Sequence, residues 1–208
     1  MNFIEEVCLG HVKVAKVPQT RELALLGNVF YNCCMKPLVG TELKRFLRDY
    51  KRQHRPDFDL VALLQSVEYP ANVGSIFRVA EAAGLTALIL AGITPTPPHP
   101  TIDKVGRFKS LRLPWRYEKD PLAAIAGLKE EGYHVVAVEL ADTAVPYHRY
   151  DYPQKTCLVV GHEDHGVTKA TLAACDAAVF LPMYGKGQSL NVHVALSIVL
   201  YHILHNVA

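Results

Sequence analysis

From residue 57 onward the chain alternates between short, uninterrupted apolar runs and longer amphipathic ones. The runs at 60–65, 87–90, 134–138, 156–160 and 178–181 predict strands, and those at 73–83, 121–131, 168–175 and 191–206 predict helices. Strands that are apolar throughout, separated by helices, imply a mostly parallel sheet covered on both faces, an α/β fold. Upstream of a soft boundary at Arg55-Pro56-Asp57 the pattern is helical and basic. Leu43, Phe46, Leu47 and Tyr50 recur at helical spacing after Thr41, a candidate cap. The opposite side carries Arg45, Arg48, Arg52 and Arg55 beside Lys44 and Lys51, offset only by Asp49. Such a run is either a solvated face or the electrostatic footprint of a nucleic-acid contact. Pro95-Thr96-Pro97-Pro98-His99-Pro100 reads as a loop. After it, 104–119 mixes Arg107, Lys109, Arg112 and Arg116 with Phe108, Trp115 and Tyr117, which suits a plain surface loop or contact with phosphates and unstacked bases.

Composition narrows the class. Of 208 residues, 50% are hydrophobic and 20% charged, enough apolar surface for one domain with a small appendage and too much for a disordered chain. No apolar run is long enough to span a bilayer, and Met1 to Glu6 lacks a signal-peptide pattern, so a cytoplasmic protein without a membrane partner is expected. The net charge of +2 carries no message by itself. Five cysteines, two of them adjacent (Cys33, Cys34) and none in CxxC spacing, make neither a disulfide framework nor a zinc site. Cys157 and Cys175 read as small core residues.

Three strand-to-loop transitions hold the candidate chemistry, at the strand ends where open α/β sheets bind ligands. The first is Tyr69-Pro70-Ala71-Asn72-Val73-Gly74-Ser75-Ile76-Phe77-Arg78, with Asn72 placed to cap the following helix and Arg78 to reach back over its start. Taken alone, this is also an ordinary capped helix with a surface arginine. The second runs Leu158-Val159-Val160-Gly161-His162-Glu163-Asp164-His165-Gly166, four ionisable residues between two glycines. His162 and His165 raise the question of a metal, but the spacing is not HExxH and no third ligand follows, so no metal is expected. The third, from Leu181-Pro182-Met183-Tyr184-Gly185 to Ser189-Leu190-Asn191-Val192, is a glycine-containing loop feeding an apolar helix capped by Ser189 or Asn191. Neither a P-loop nor a dinucleotide-binding GxGxxG is present.

Taken together, in this order and spacing, the three segments resemble the SpoU (TrmH) family of the SPOUT superfamily of S-adenosylmethionine-dependent RNA methyltransferases. The resemblance covers about residues 59 to 208, and the first 58 lie outside it as an accessory segment with a possible RNA contact. His162 departs from the small residue or Asn more usual there. The resemblance implies a parallel sheet flanked by helices with a C-terminal deep trefoil knot, a homodimer, and methyl transfer to a ribose 2′-hydroxyl. It implies S-adenosylmethionine held largely by main-chain groups at Gly161, Leu181 and Leu190, with Val160, Met183 and Gly185 beside them. Arg78 corresponds to the arginine assigned to activating the hydroxyl. Because a guanidinium stays protonated, its expected role is to bind the neighbouring phosphate and stabilise the developing alkoxide. Asn72, Ser189 and Asn191 are expected to position the ribose and Arg78, and Glu163 to orient the loops.

The RNA surface is expected at Arg45, Arg48, Arg52 and Arg55 and at Arg107 and Arg112. The run Ser189-Leu190-Asn191-Val192-His193-Val194 is similar to the transfer-RNA guanosine branch, so transfer RNA is favoured over ribosomal RNA. A non-catalytic RNA-binding protein of the same fold is the alternative from another class. It has no need of Asn72, Arg78, Glu163, Ser189 and Asn191 together.

Overall fold

The computed structural model describes residues 36–54 and 57–205, together with the backbone of two short N-terminal strands. It divides into two compact units, 1–50 and 51–208. In the first, β1 (Glu6–Leu9) and β2 (Val12–Ala15) pair antiparallel, where only helix was expected. Helix α1 (Gly40–Gln53) starts one residue before Thr41, so Thr41 lies inside the first turn rather than capping it. Along α1 the Phe46 and Tyr50 rings stack at 6.2 Å, and Arg45, Arg48 and Arg52 are exposed. Arg48 meets Asp49 at 3.4 Å. Arg55 lies outside the described residues.

The second unit is built on an all-parallel sheet of seven strands in the order β5-β4-β3-β8-β6-β9-β7. The strands are β3 (Asp59–Gln65), β4 (Ala87–Ala91), β5 (Trp115–Glu118), β6 (His134–Val138), β7 (Val145–Pro146), β8 (Lys155–Val160) and β9 (Ala177–Phe180). Five of them match the apolar runs of the sequence to within a residue. Side chains alternate across the sheet plane, so each central strand feeds two cores. Leu60, Ala62, Leu64, Leu158 and Val160 face α2 (Pro70–Ala83) and α6 (Val192–His205), meeting Val73, Ile76, Phe77, Leu196, Val199 and Ile203. Val61, Leu63, Cys157 and Val159 face α4 (Pro121–Glu130) and α5 (Lys169–Ala174), meeting Ile125, Leu128 and Leu172. Phe77 is fully buried, with its ring edge-on to Trp115 at 6.4 Å. Truncating a buried aromatic of this kind to alanine costs about 3–5 kcal/mol. Cys157 is buried in the second core, and burial pushes both its thiol and that of Cys175 up, the latter to about 11.

The segment from 100 to 119 departs from the sequence-based expectation. Pro100 opens α3 (Pro100–Gly106) at its first position, where the missing N–H costs nothing, and His99 caps it by accepting from Thr101 N–H at 3.2 Å. A 3₁₀ turn (Lys109–Leu111) and edge strand β5 follow. Lys109 is tied to Glu81 at 2.7 Å and Arg116 to Glu131 at 3.0 Å, while Trp115 packs on the core. Of the expected basic-aromatic loop, Arg107, Phe108 and Arg112 are exposed and unpaired among the described residues, and Arg116 and Tyr117 are exposed on β5. Helices α2 and α3 cross closely at paired glycines: a Cβ on Gly74 would stand 2.9 Å from the Ile102 carbonyl oxygen. Among the described residues no helix is long and apolar enough to cross a membrane.

Candidate functional site

The three loops converge at the carboxyl ends of β3, β8 and β9. The first turns into α2 at Tyr69, which is extended as a residue before proline must be, and Pro70 occupies the first helical turn. Asn72 is therefore not the cap. It sits inside the first turn with its side chain buried, aimed at the other two loops.

In the second loop the backbone doubles back so that His162 and Gly166 exchange both main-chain hydrogen bonds, at 3.1 and 2.8 Å. A Cβ at Gly161 would overlap the Gly166 carbonyl and the Val167 nitrogen, so glycine at this position serves the chain's own close approach. The turn presents Glu163 to the first loop. Its carboxylate accepts from Glu68 N–H (2.9 Å), Tyr69 N–H (3.2 Å) and Asn72 Nδ2 (2.7 Å). Burial works to raise its pKa, but these donors, led by Asn72, outweigh it and hold the carboxyl below the ordinary glutamate range. A second tie runs beside it. His162 Nδ1 accepts from Asp164 N–H at 3.0 Å, which leaves Nε2–H to donate to the Glu68 carboxylate, also at 3.0 Å. This pairing accounts for the unusual histidine.

The third loop joins through Asn191. Its Oδ1 accepts from His193 N–H (3.1 Å), capping α6, and its Nδ2 donates to Asn72 Oδ1 (3.1 Å). Glu163, Asn72 and Asn191 thus form one hydrogen-bonded chain across all three loops. Ser189 is exposed and makes no hydrogen bond among the described residues, and Asn191, not Ser189, is the cap.

Two cavities flank this chain. One, of about 370 Å³, lies between α2 and α6 and is lined by Ser75, Arg78, Val105, His193, Ser197 and Tyr201 among others. The exposed Arg78 guanidinium has no hydrogen-bond or ion-pair partner among the described residues, and an unpaired fork in a cleft suits a phosphate. The other, of about 200 Å³, is lined by Tyr147, His148, Leu181, Pro182, Tyr184, Leu190 and Ile198. Leu181 and Leu190, both expected at the cofactor, meet there. Val160 has its side chain in the core, leaving only its main chain for a ligand, while Met183 and Gly185 stand on the exposed part of the third loop. His193, Glu68 and the aromatic wall of Tyr147 and His148 were not foreseen. His193 directly follows the third motif, and its place in the first turn of α6 was the available signal.

Comparison with known proteins agrees with this arrangement. Residues 59–201 match the SpoU rRNA Methylase family. The chain is 33% identical over 158 residues to the tRNA (guanosine(18)-2'-O)-methyltransferase of Thermus thermophilus, covering 76% of this chain and 79% of that protein. It is also 33% identical over 143 residues to the 23S rRNA (guanosine(2553)-2'-O)-methyltransferase RlmP of Bacillus subtilis, covering 69% of this chain and 57% of that one. The SpoU methyltransferase AviRb from Streptomyces viridochromogenes, solved with the cofactor AdoMet, superposes with a TM-score of 0.66 at 27% identity, over 73% of this chain and 61% of that chain. The chain therefore spans less than two thirds of the latter two. It belongs to the SpoU family of S-adenosylmethionine-dependent RNA 2′-O-methyltransferases.

Proposed function

We propose that this protein methylates a ribose 2′-hydroxyl of transfer RNA in the cytoplasm, using S-adenosylmethionine. The observation that carries the reading is the chain Glu163–Asn72–Asn191, which sets an unpaired Arg78 beside a cleft wide enough for a nucleotide sugar. The cavity under Leu181 and Leu190 fits an adenine ring: it is apolar, aromatic on one side, and close to main-chain groups at the end of β9. The third loop would hold the cofactor there through Leu181, Leu190, Met183 and Gly185, with the main chain of Val160 and Gly161 closing the site. The cofactor supplies an electrophilic methyl group.

The protein's own residues do the rest. Arg78 holds the phosphate beside the target ribose and offsets negative charge as the 2′-oxygen develops it. Asn72 and Asn191 fix the first turn of α2 against the third loop, Glu163 fixes both loops, and Ser189 reaches the ribose. Arg45, Arg48, Arg52 and Arg55 of the N-terminal segment, and Arg107 and Arg112 of the second unit, supply cations for the RNA backbone, so that 1–58 serves as an accessory RNA-binding segment. Transfer RNA is supported by the longer alignment with the Thermus enzyme, 158 residues against 143 with the Bacillus one. Strand β9 enters the sheet between β6 and β7, and His202 of α6 packs on Tyr147 at 5.1 Å. This supports a knot in which the C-terminal segment threads the 139–154 loop. Val194 of α6 is exposed and supports a homodimer through that helix.

The test is methylation of separate transfer-RNA and ribosomal-RNA pools with labelled S-adenosylmethionine, followed by alkaline hydrolysis. A 2′-O-methyl group blocks attack on the adjacent phosphate, so label is expected in alkali-resistant dinucleotides from transfer RNA. Label in mononucleotides would mean base methylation, and label from ribosomal RNA alone would reassign the substrate. Arg78→Ala is expected to abolish turnover with S-adenosylmethionine affinity nearly unchanged. A large loss of that affinity would move Arg78 from the RNA phosphate to the cofactor site.

A further inference from the structure

The cleft between α2 and α6 holds one side chain that none of these roles uses. His193 is the second residue of α6, and the polarity of its hydrogen bonds can be followed outward from Glu163. An ionised carboxylate only accepts, so Asn72 must turn Nδ2 toward Glu163, as it does at 2.7 Å. That fixes which end of the Asn72 amide is which and leaves Oδ1 facing α6. Oδ1 accepts from Asn191 Nδ2 at 3.1 Å, and its second lone pair faces His193 Nδ1 at the longer distance of 3.4 Å. An acceptor oxygen there selects N–H at Nδ1, so the neutral ring carries its lone pair on Nε2. The ring lines the same cleft as Arg78, Ser75 and Ser197.

We propose that His193 is the general base of the methyl transfer, taking the proton of the RNA 2′-hydroxyl on Nε2. The inference rests on the proposed 2′-O-methylation. The 2′-oxygen gives its proton to Nε2 and bonds the methyl carbon, whose former bond to sulfur breaks with the electron pair left on sulfur. One positive charge leaves the sulfur and one arrives on the imidazole, so charge and electrons balance. Asn72, backed by Glu163, orients the ring much as a carboxylate orients a catalytic histidine. The charged and titratable groups facing His193 are Arg78 from α2, Tyr201 from α6 and, through Asn72, Glu163. From α3 the apolar Val105 lines the same cleft.

Two measurements on the full chain test this. In the ¹⁵N spectrum of the imidazoles, with His193 assigned by its loss in His193→Gln, the neutral ring is expected as the Nδ1–H tautomer. An Nε2–H tautomer overturns the proposal. In single-turnover methylation of unfractionated transfer RNA and ribosomal RNA, His193→Gln is expected to slow the chemical step about 10²–10⁴-fold. Affinity for RNA and S-adenosylmethionine should stay within about threefold, and the acid limb of the rate–pH profile should vanish. Added imidazole should partly restore His193→Ala. A rate within about threefold of wild type, or an acid limb that persists in His193→Gln, overturns it. The two failures read differently: an active His193→Gln beside a dead Arg78→Ala sinks the base alone, whereas a wild type that methylates neither RNA sinks the function itself.

Discussion

The second and third loops both leave the sheet through a glycine-containing turn, yet the protein uses them in opposite ways. The second is locked. Gly161 and Gly166 bring its backbone onto itself, Glu163 takes three donors from the first loop, and His162 adds a fourth tie through Glu68. The third is exposed from Met183 to Asn191. Among the described residues nothing lies within 4 Å of a Cβ built on Gly185 or Gly187, and Asn191 alone bonds it to the first loop. Glycine in the second loop is a packing requirement; in the third it leaves the backbone room to close on a ligand. The wall beside Arg78 is thus built by folding, while the loop proposed to hold the cofactor is left open.

Substitutions separate the two loops, beginning with the largest effect. Gly161→Ala forces a methyl into the Gly166–Val167 backbone, which cannot swing aside as a side chain does. It should destabilise by about 3 kcal/mol, at the top of the range for overpacking, lowering Tm by roughly 6–12 °C in a thermal melt. Next, Glu163→Gln keeps the shape but replaces a charged acceptor with an amide that can accept at only one end. A loss of about 1.5–3 kcal/mol is expected in urea unfolding, with methylation falling in parallel as the Asn72 side chain loses its fixed orientation.

The same variant should change the pH dependence of stability. The folded pKa of Glu163 lies below its ordinary value of 4.5. Its contribution is therefore fully present above that value and lost as pH falls through the depressed folded one. The acid side of the stability curve should be shallower in Glu163→Gln than in wild type. An unchanged slope would show that the carboxylate is no better held in the folded state than in the unfolded one. Smallest of all, Gly185→Ala should leave stability within about 0.5 kcal/mol, because the added methyl meets nothing. A loss as large as that of Gly161→Ala would overturn the contrast.

The basic surface gives a separate comparison. Reversing Arg45, Arg48 and Arg52 to glutamate should weaken RNA binding and reduce its salt dependence while leaving S-adenosylmethionine affinity unchanged. Equal loss of both affinities in equilibrium titrations would assign these arginines to folding instead.

Legibility followed burial. Strands β3, β4, β6, β8 and β9 were readable because both their faces are covered, so each is an unbroken apolar run. Strand β5 was not: it lies at the sheet edge with Arg116 and Tyr117 exposed, and its letters match those of a basic loop. Pro100 misled for a different reason. It reads as part of a loop, yet it sits in the first turn of α3, where a residue without N–H is at no disadvantage, and Pro70 takes the same place in α2, two residues before the expected cap. That displaced the expected cap from Asn72 and freed its side chain for Glu163.

The sequence by itself determined the α/β alternation, the three motif loops and the residue types at their tips, because hydrophobic period and motif spacing are local properties of the chain. Only the tertiary structure decided which of those residues meet. Glu163 lies 91 residues from Asn72, and Asn191 a further 28 from Glu163. A hydrogen bond needs an approach of about 3 Å and a defined donor and acceptor, and the order of strands in the sheet, not the order of residues in the chain, brings these groups that close. The same ordering left Ser189 outside the network and drew His193 into it.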